Sequence, residues 1–310
     1  AFSQTLATQA VQVMALSAHH RDLLSAPTRR PSDLSPDALA FSDALKRRIV
    51  AAIDDADGWI GFDRFMELAL YAPGLGYYSG GAQKFGAAGD FVTAPEISSA
   101  FSQTLATQAV QVMALSAPQI VEVGAGSGRL AADLLLELER RDALPERYAI
   151  LDLSGELRER QRATISQRAP HLLGRVHWLD RLPETFDGLV LANELLDAMP
   201  VHLVLWHDAA ILERGVSTKN GEFVWSDRPA TGRVLEKAQA IADEFALTPG
   251  YLSEVCLAAA DWTASWASIL NKGALLLIDY GFPRHEFYHP QRATGTLMCH
   301  YRHHAHGEPF

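Results

Sequence analysis

The residues able to do chemistry gather in two short stretches. In the first, Glu122-Val123-Gly124-Ala125-Gly126-Ser127-Gly128 ends an apolar run, Ile120 to Val123, long enough for a buried strand; Leu130 to Leu138 then reads as a helix. The three glycines let the backbone turn tightly and approach a ligand, and the helix start offers free N–H groups. The spacing is not the dinucleotide fingerprint, whose third glycine would fall at Arg129. A Gly-rich turn alone also fits other α/β domains. In the second stretch, Asn193-Glu194-Leu195-Leu196-Asp197 follows the apolar run Gly188 to Ala192. Glu194 and Asp197 share one face if Glu194 opens a helical turn. Alternatively, Asn193 and Asp197 cap a following helix.

Strands must carry these residues. Tyr148 to Leu153 reads as a second strand, with Asp152 and Leu153 at its end, where an acid commonly holds ribose hydroxyls. The other expectation for Asp152 is a cap for the helix Glu156 to Gln167. Val176 to Leu179, Gly188 to Ala192 and Ala274 to Gly281 complete the strands, and Asp279 and Tyr280 fall at the end of the last. Strands alternating with helices predict an α/β fold with a parallel sheet, whose ligands bind beyond the carboxyl ends of the strands.

Other segments surround this pattern. Ser35-Pro36-Asp37 starts a helix, and another starts at Phe62. Between them and the Gly-rich turn runs a long Gly- and aromatic-rich loop carrying Tyr77, Gly89, Asp90, Phe91, Thr93, Pro95 and Glu96. It reads equally as a lid over a ligand and as an irregular packed cap. Ala100 to Ala117 is helical. Leu203–Trp206, Ala210–Glu213 and Phe223–Trp225, with the turn Lys219-Asn220-Gly221, predict a small β meander, followed by amphipathic helices at Leu235–Phe245 and Trp262–Leu270. The domains are read as a leader at 1–37, a helical cap and loop at 38–117, a core at 118–200, an inserted substrate-covering segment at 201–270 and a return to the core at 271–310. Residues 1–18 are identical to 100–117. A single undiverged copy is not a repeat architecture, and it is set aside from the functional reading.

The 310 residues, 48% hydrophobic and 21% charged, suffice for a sizeable core. A net charge of −10 argues against nonspecific nucleic-acid binding and suits a basic partner. Cys256 and Cys299 offer neither a disulfide framework nor zinc spacing, which points to a reducing compartment. No apolar run approaches the roughly 20 residues of a membrane span. His300, His303, His304 and His306 lack regular ligand spacing, so no metal is expected.

Five motifs occur in order: FMELALYAPGLGYYSGG (65–81), GDFVTAPEIS (89–98), VEVGAGSGRLAADLL (121–135), LANELLDAMPVH (191–202) and LLLIDYGFP (275–283). Together they resemble the MidA family, which includes the mitochondrial complex I assembly methyltransferase, over about residues 39–310. The resemblance implies a class I S-adenosylmethionine (SAM) methyltransferase sheet, Rossmann-like, with a helical N-terminal cap and an inserted α+β lid. It implies SAM as cofactor, held by Glu122, Gly124, Ala125, Gly126, Gly128, Asp152, Leu153 and Asn193. It also implies a protein substrate, an arginine of the large core subunit of respiratory complex I or its bacterial homologue. In that topology the first and fourth strands flank the point where strand order reverses, so Asn193, Glu194 and Asp197 face the transferred methyl. A carboxylate pair can bind a guanidinium, orient one nitrogen and accept its proton. Tyr251-Leu252-Ser253-Glu254 matches a further family motif and adds Glu254 as a site candidate. The family sheet continues past residue 310 with further strands. The expected location is a bacterial cytoplasm, or the mitochondrial matrix if the chain is eukaryotic. The alternatives are a SAM enzyme with a small-molecule acceptor and a non-catalytic assembly factor; the glycines, Asp152 and Glu194 count against the latter.

Overall fold

The computed structural model of the chain describes residues 14–15, 36–79, 94–152, 154–301 and 304–310. The chain divides into two compact units. One holds residues 83–197 and 261–280 with the leading 1–16; the other holds 17–82, 198–260 and 281–310.

The first unit is built on a parallel sheet. Its strands run in the spatial order Leu270–Asp279, Phe186–Asn193, Gln119–Val123, Arg147–Leu151 and Val176–Leu179, with Met14–Ala15 alongside the outer edge of the first. The central pair, Gln119–Val123 and Phe186–Asn193, is buried along nearly its whole length, as strands covered on both faces require. Strand order reverses between Gln119–Val123 and Phe186–Asn193. The register levels the strand ends: Val123 lies opposite both Leu151 and Ala192, and Asn193 opposite Ile278. The residues that leave the sheet next, Gly124, Asp152, Glu194 and Asp279, therefore share one edge.

The helix Arg129–Arg140 packs on this sheet because Leu130, Leu134, Leu135 and Leu138 recur on one face, all buried. Burying each leucine contributes roughly 1.5–3 kcal/mol. Two acids on the same helix are also buried, and each is paired. Asp133 meets Arg129 and Arg168, and Glu137 meets Arg140 and Arg141. The helix Gly155–Arg168 starts at Ser154, whose hydroxyl accepts from Leu157 N at 3.3 Å, and it buries Leu157, Gln161 and Ile165. Ala100–Leu115 covers the same side through Leu105, Ala106, Ala109 and Met113.

The second unit is antiparallel. Tyr251–Val255, His202–Trp206, Ile211–Lys219 and Ile60–Gly61 pair in that order, and Glu222–Pro229 pairs with Ile211–Lys219. Asn220 and Gly221, at φ +54° and +81°, close the hairpin as two left-handed turn residues. Helices Pro36–Asp55 and Phe62–Tyr71 bury Ile49, Ile53, Phe62, Phe65 and Leu68 in one cluster with Leu203 and Val216. Gly232–Glu244 packs through Val234, Ala238 and Ile241 and accepts a hydrogen bond from the Trp206 indole at Ala238 O, 3.0 Å. Among the described residues, no helix is long and apolar enough to cross a membrane.

Candidate active site

The Gly-rich turn leaves the first strand at Gly124, whose N–H donates to Leu151 O at 3.0 Å. Gly124, Gly126 and Gly128 lie at φ +69°, +53° and +81°. A Cβ at Gly124 would stand 2.8 Å from Leu195 Cδ1, and one at Gly128 would stand 2.8 Å from Gln161 Cα. Conformation and space both demand glycine at 124 and 128. Ala125 is buried beneath the turn.

Two acids stand behind and beside this turn. Glu122, 2% exposed, accepts from the Tyr148 hydroxyl at 2.6 Å. Burial pushes its carboxyl up to about 7, against the pull of Tyr148 and with a further push from Asp152. Glu122 therefore supports the turn from within the sheet. Asp152 follows the second strand. Its Oδ1 accepts from Ser154 N at 3.0 Å, and its Oδ2 from Gln161 Nε2 at 2.8 Å. Each carboxylate oxygen carries two lone pairs, and a vicinal diol is a partner that a carboxylate accepts from through both oxygens. A glycine cradle beside an oriented carboxylate fits a nucleoside that carries no pyrophosphate, the chemistry expected of SAM.

Arg158 and Gln161, which with Leu157 match the family's helix after this strand, had no role assigned from the sequence; they fix Asp152. Gln161, fully buried, also donates to Gly126 O at 3.3 Å and accepts from the Trp178 indole at 2.9 Å. Arg158 donates to Asp152 O at 2.7 Å, Leu179 O at 2.6 Å and Asp180 Oδ1 at 2.5 Å, tying the second and third strand ends together. The available signal was a glutamine four residues after Leu157 and four before Ile165, on the face that must be buried.

Beyond the fourth strand the chain does not continue as a helix. Residues 194–200 form bends and a turn, so Glu194 and Asp197 do not share a helical face and Asn193 and Asp197 cap no helix there. Asp279 closes the turn that forms instead. Its Oδ2 accepts from Leu196 N at 2.6 Å and Asp197 N at 3.2 Å, satisfying amides that a helix start would otherwise present. Glu194 N donates to Ile278 O at 2.8 Å, and Glu194 adopts φ +49°, rare for a residue with a side chain.

This geometry places the half-buried Glu194 carboxylate at the sheet edge. Burial raises its value to about 7, and the charges of Asp197 and Asp279 add to the rise; Ala94 N–H and the Asn193 side chain pull the other way. The Tyr280 hydroxyl, also raised, first by its burial and then by the Glu194 charge, hydrogen-bonds Glu194. A carboxylate poised near neutrality among other acids can bind a cation and accept its proton.

The remaining candidates separate. Pro95 and Glu96 lie on the short helix Ala94–Ile97, and the Ser127 hydroxyl of the Gly-rich turn donates to the Glu96 carboxylate. An open hollow of about 530 Å³ is lined by Glu96, Ser127, Arg129, Thr164, Gln167 and Arg168. Tyr77 and Glu254 belong to the antiparallel unit. Tyr77 meets Tyr78 edge to face at 5.1 Å, and Tyr78 stacks on Tyr71. Glu254 has a structural occupation: its Oε1 accepts from Thr296 N at 2.7 Å and Leu297 N at 2.8 Å, and its Oε2 from the Thr296 hydroxyl at 3.2 Å. It pins the returning chain. Gly89, Asp90, Phe91, Thr93 and Leu153 lie outside the described residues.

Comparison with known proteins gives this geometry a context. Residues 104–310 match the family described as putative S-adenosyl-L-methionine-dependent methyltransferase. A solved structure from Burkholderia thailandensis, a likely methyl transferase bound to S-adenosyl-homocysteine, is 51% identical; the match covers 92% of this chain and 73% of that one, with a TM-score of 0.84. The mitochondrial protein arginine methyltransferase NDUFAF7 of Danio rerio is 28% identical over 73% of this chain. Its Drosophila melanogaster homologue is 31% identical over 57%. The chain spans 59% and 45% of the lengths of these two relatives.

Proposed function

This chain belongs to the family of putative S-adenosyl-L-methionine-dependent methyltransferases, and from that membership we propose that it methylates an arginine of a protein substrate. The observation that carries the reading is Glu194: a half-buried carboxylate at the switch point of the sheet, beside Asp197 and Asp279, raised to about 7. A guanidinium stays protonated in water, so its nitrogen is a poor nucleophile until a base takes a proton. The cofactor, when bound, supplies an electrophilic methyl group. Glu194 binds the guanidinium and accepts the proton released as the nitrogen–carbon bond forms. Asn193 and Tyr280 hold the Glu194 carboxylate, and Asp197 adds a second negative charge facing the cation. Gly124, Gly126 and Gly128 admit the cofactor's close approach, and Asp152 accepts from its ribose hydroxyls.

The protein substrate to try first is a respiratory complex I subunit, as the family resemblance implies, in a bacterial cytoplasm or a mitochondrial matrix. The acidic surroundings of Glu194 support a cationic acceptor over a neutral small molecule. The test is calorimetric titration of SAM into the parent protein and into Gly126→Val, followed by transfer of labelled methyl groups and mass spectrometry of the product. Binding by the parent, loss in the variant and methylarginine in the product support the reading. Label appearing on a small molecule with no protein-bound methylarginine overturns the arginine assignment.

A further inference from the structure

We propose that Asp63, His202 and Glu213 form a divalent-cation site in the antiparallel unit, built from residues other than those assigned to methyl transfer. Three elements supply them. Asp63 lies in the first turn of the helix Phe62–Tyr71, His202 opens the strand His202–Trp206, and Glu213 lies on Ile211–Lys219. Val204 is opposite Glu213 in the register, so His202, two residues earlier, projects from the same face. His202 Nδ1 lies 2.7 Å from Glu213 Oε1 and 3.5 Å from Asp63 Oδ1. One ligand atom from each residue lies within 4.8 Å of the others. Side-chain exposures of 35%, 17% and 14% for Asp63, His202 and Glu213 leave the cluster reachable by an ion yet shielded from bulk water.

The space was made for these groups by a glycine. Gly61 has φ −59°, which any residue adopts, so its backbone does not ask for glycine. A Cβ there would collide with Asp63 Oδ1 and stand 3.2 Å from Glu213 Oε1. A side chain at 61 would make the Asp63 carboxylate swing away from its place beside Glu213.

One imidazole nitrogen and two carboxylates suit Zn²⁺, Co²⁺ or Mn²⁺, with coordination positions left for water. With His202 neutral the trio carries two negative charges, which a dication balances. Arg233 is the cation facing His202, and Glu67, paired with Arg64, is the further carboxylate facing Asp63. To bind the ion, His202 Nδ1 gives up its proton, either to Nε2 by a change of tautomer or to solvent. The bound ion joins a helix to two strands and acts as a clamp on the unit. The sequence showed no metal pattern because its three residues are scattered: register gathers His202 and Glu213, and the packing of a helix adds Asp63.

The test uses the purified full chain, stripped with a chelator and titrated with Zn²⁺ by calorimetry. Co²⁺ is added separately to read coordination from its visible spectrum. The expected result is one ion per chain, a rise in Tm on binding, and loss of both in His202→Ala and Glu213→Gln. His202→Asn, which keeps a donor to Glu213 but removes the imidazole ligand, guards against misfolding; its circular dichroism should match the parent while binding is lost. No bound ion at saturating Zn²⁺, or equal binding by the folded His202→Asn variant, overturns the proposal and leaves a plain histidine–carboxylate ion cluster.

Discussion

Two acids, Glu194 in the parallel unit and Glu254 in the antiparallel unit, stand in opposite situations. In the parallel unit every strand runs the same way, so its carboxyl ends meet at one edge and deliver Gly124, Asp152, Glu194 and Asp279 together. Glu194 there sits among like charges, and burial and repulsion hold it near neutrality. In the antiparallel unit successive strands end on opposite sides and the chain keeps returning. Glu254 is as acidic by type and well buried, yet the amides of Thr296 and Leu297 donate to its Oε1 and the hydroxyls of Thr296 and Ser253 to its Oε2. A buried carboxylate facing donors is a fastener, and one facing other carboxylates is left with unmet demand for a proton or a cation.

The sharpest test of that contrast pairs the two glutamates. Glu194→Gln should lower kcat by about 10²-fold or more, the usual scale for a lost general base, while SAM affinity by calorimetry stays near the parent value. In the parent, kcat should rise with pH through about 7, because the protonated carboxyl cannot accept a proton and its value is raised to there. A flat profile through that range would break the contrast at its centre. Asp279→Ala comes next. It frees the amides of Leu196 and Asp197 and lets the turn carrying Glu194 drift, and a drift of about 1 Å can lower kcat by roughly 10²-fold with little change in SAM binding.

Glu254→Gln should behave in the other way. It leaves buried donors short of charged acceptors, destabilising the fold by on the order of 1–3 kcal/mol in denaturant titration, with SAM affinity unchanged. If Glu254→Gln removed turnover while the protein kept its stability, the division between fastener and base would fail. Glu122→Gln tests a buried acid whose role is stability and not turnover. The folded-state value of Glu122 is raised from 4.5 to about 7, so the folded protein holds the extra proton and loses stability as pH climbs between those values. Gln stays neutral and still accepts from Tyr148. Tm of the variant should therefore match the parent near pH 5 and exceed it at pH 8.

Much of the parallel unit was legible in the sequence, because its signals are local. Apolar runs marked the five strands, apolar spacing marked the helices at 130–138 and 156–167, and three glycines marked a turn that no side chain could follow. The observed elements, Gln119–Val123, Arg129–Arg140, Arg147–Leu151 and Gly155–Arg168, differ from those expectations only at their ends. The Asn220-Gly221 hairpin was legible for the same reason: its positive φ angles are a property of two residues.

What the sequence determined by itself, then, was set by short-range covalent geometry and periodicity: the strand–glycine–helix element, the position of Asp152 and the acidic stretch 193–197. What only the tertiary structure decided depends on partners far away in the chain. Glu194 is held at a left-handed φ by Ile278, and the turn after it is closed by Asp279, some 80 residues on. Asp152 is aimed by Gln161, and Glu122 is backed by Tyr148. Glu254 meets the amides of residues 296 and 297, and Asp63 meets His202 across a long stretch of chain. Spacing along a chain can place a carboxylate at a strand end, but what faces it after folding sets its proton affinity and hence its role.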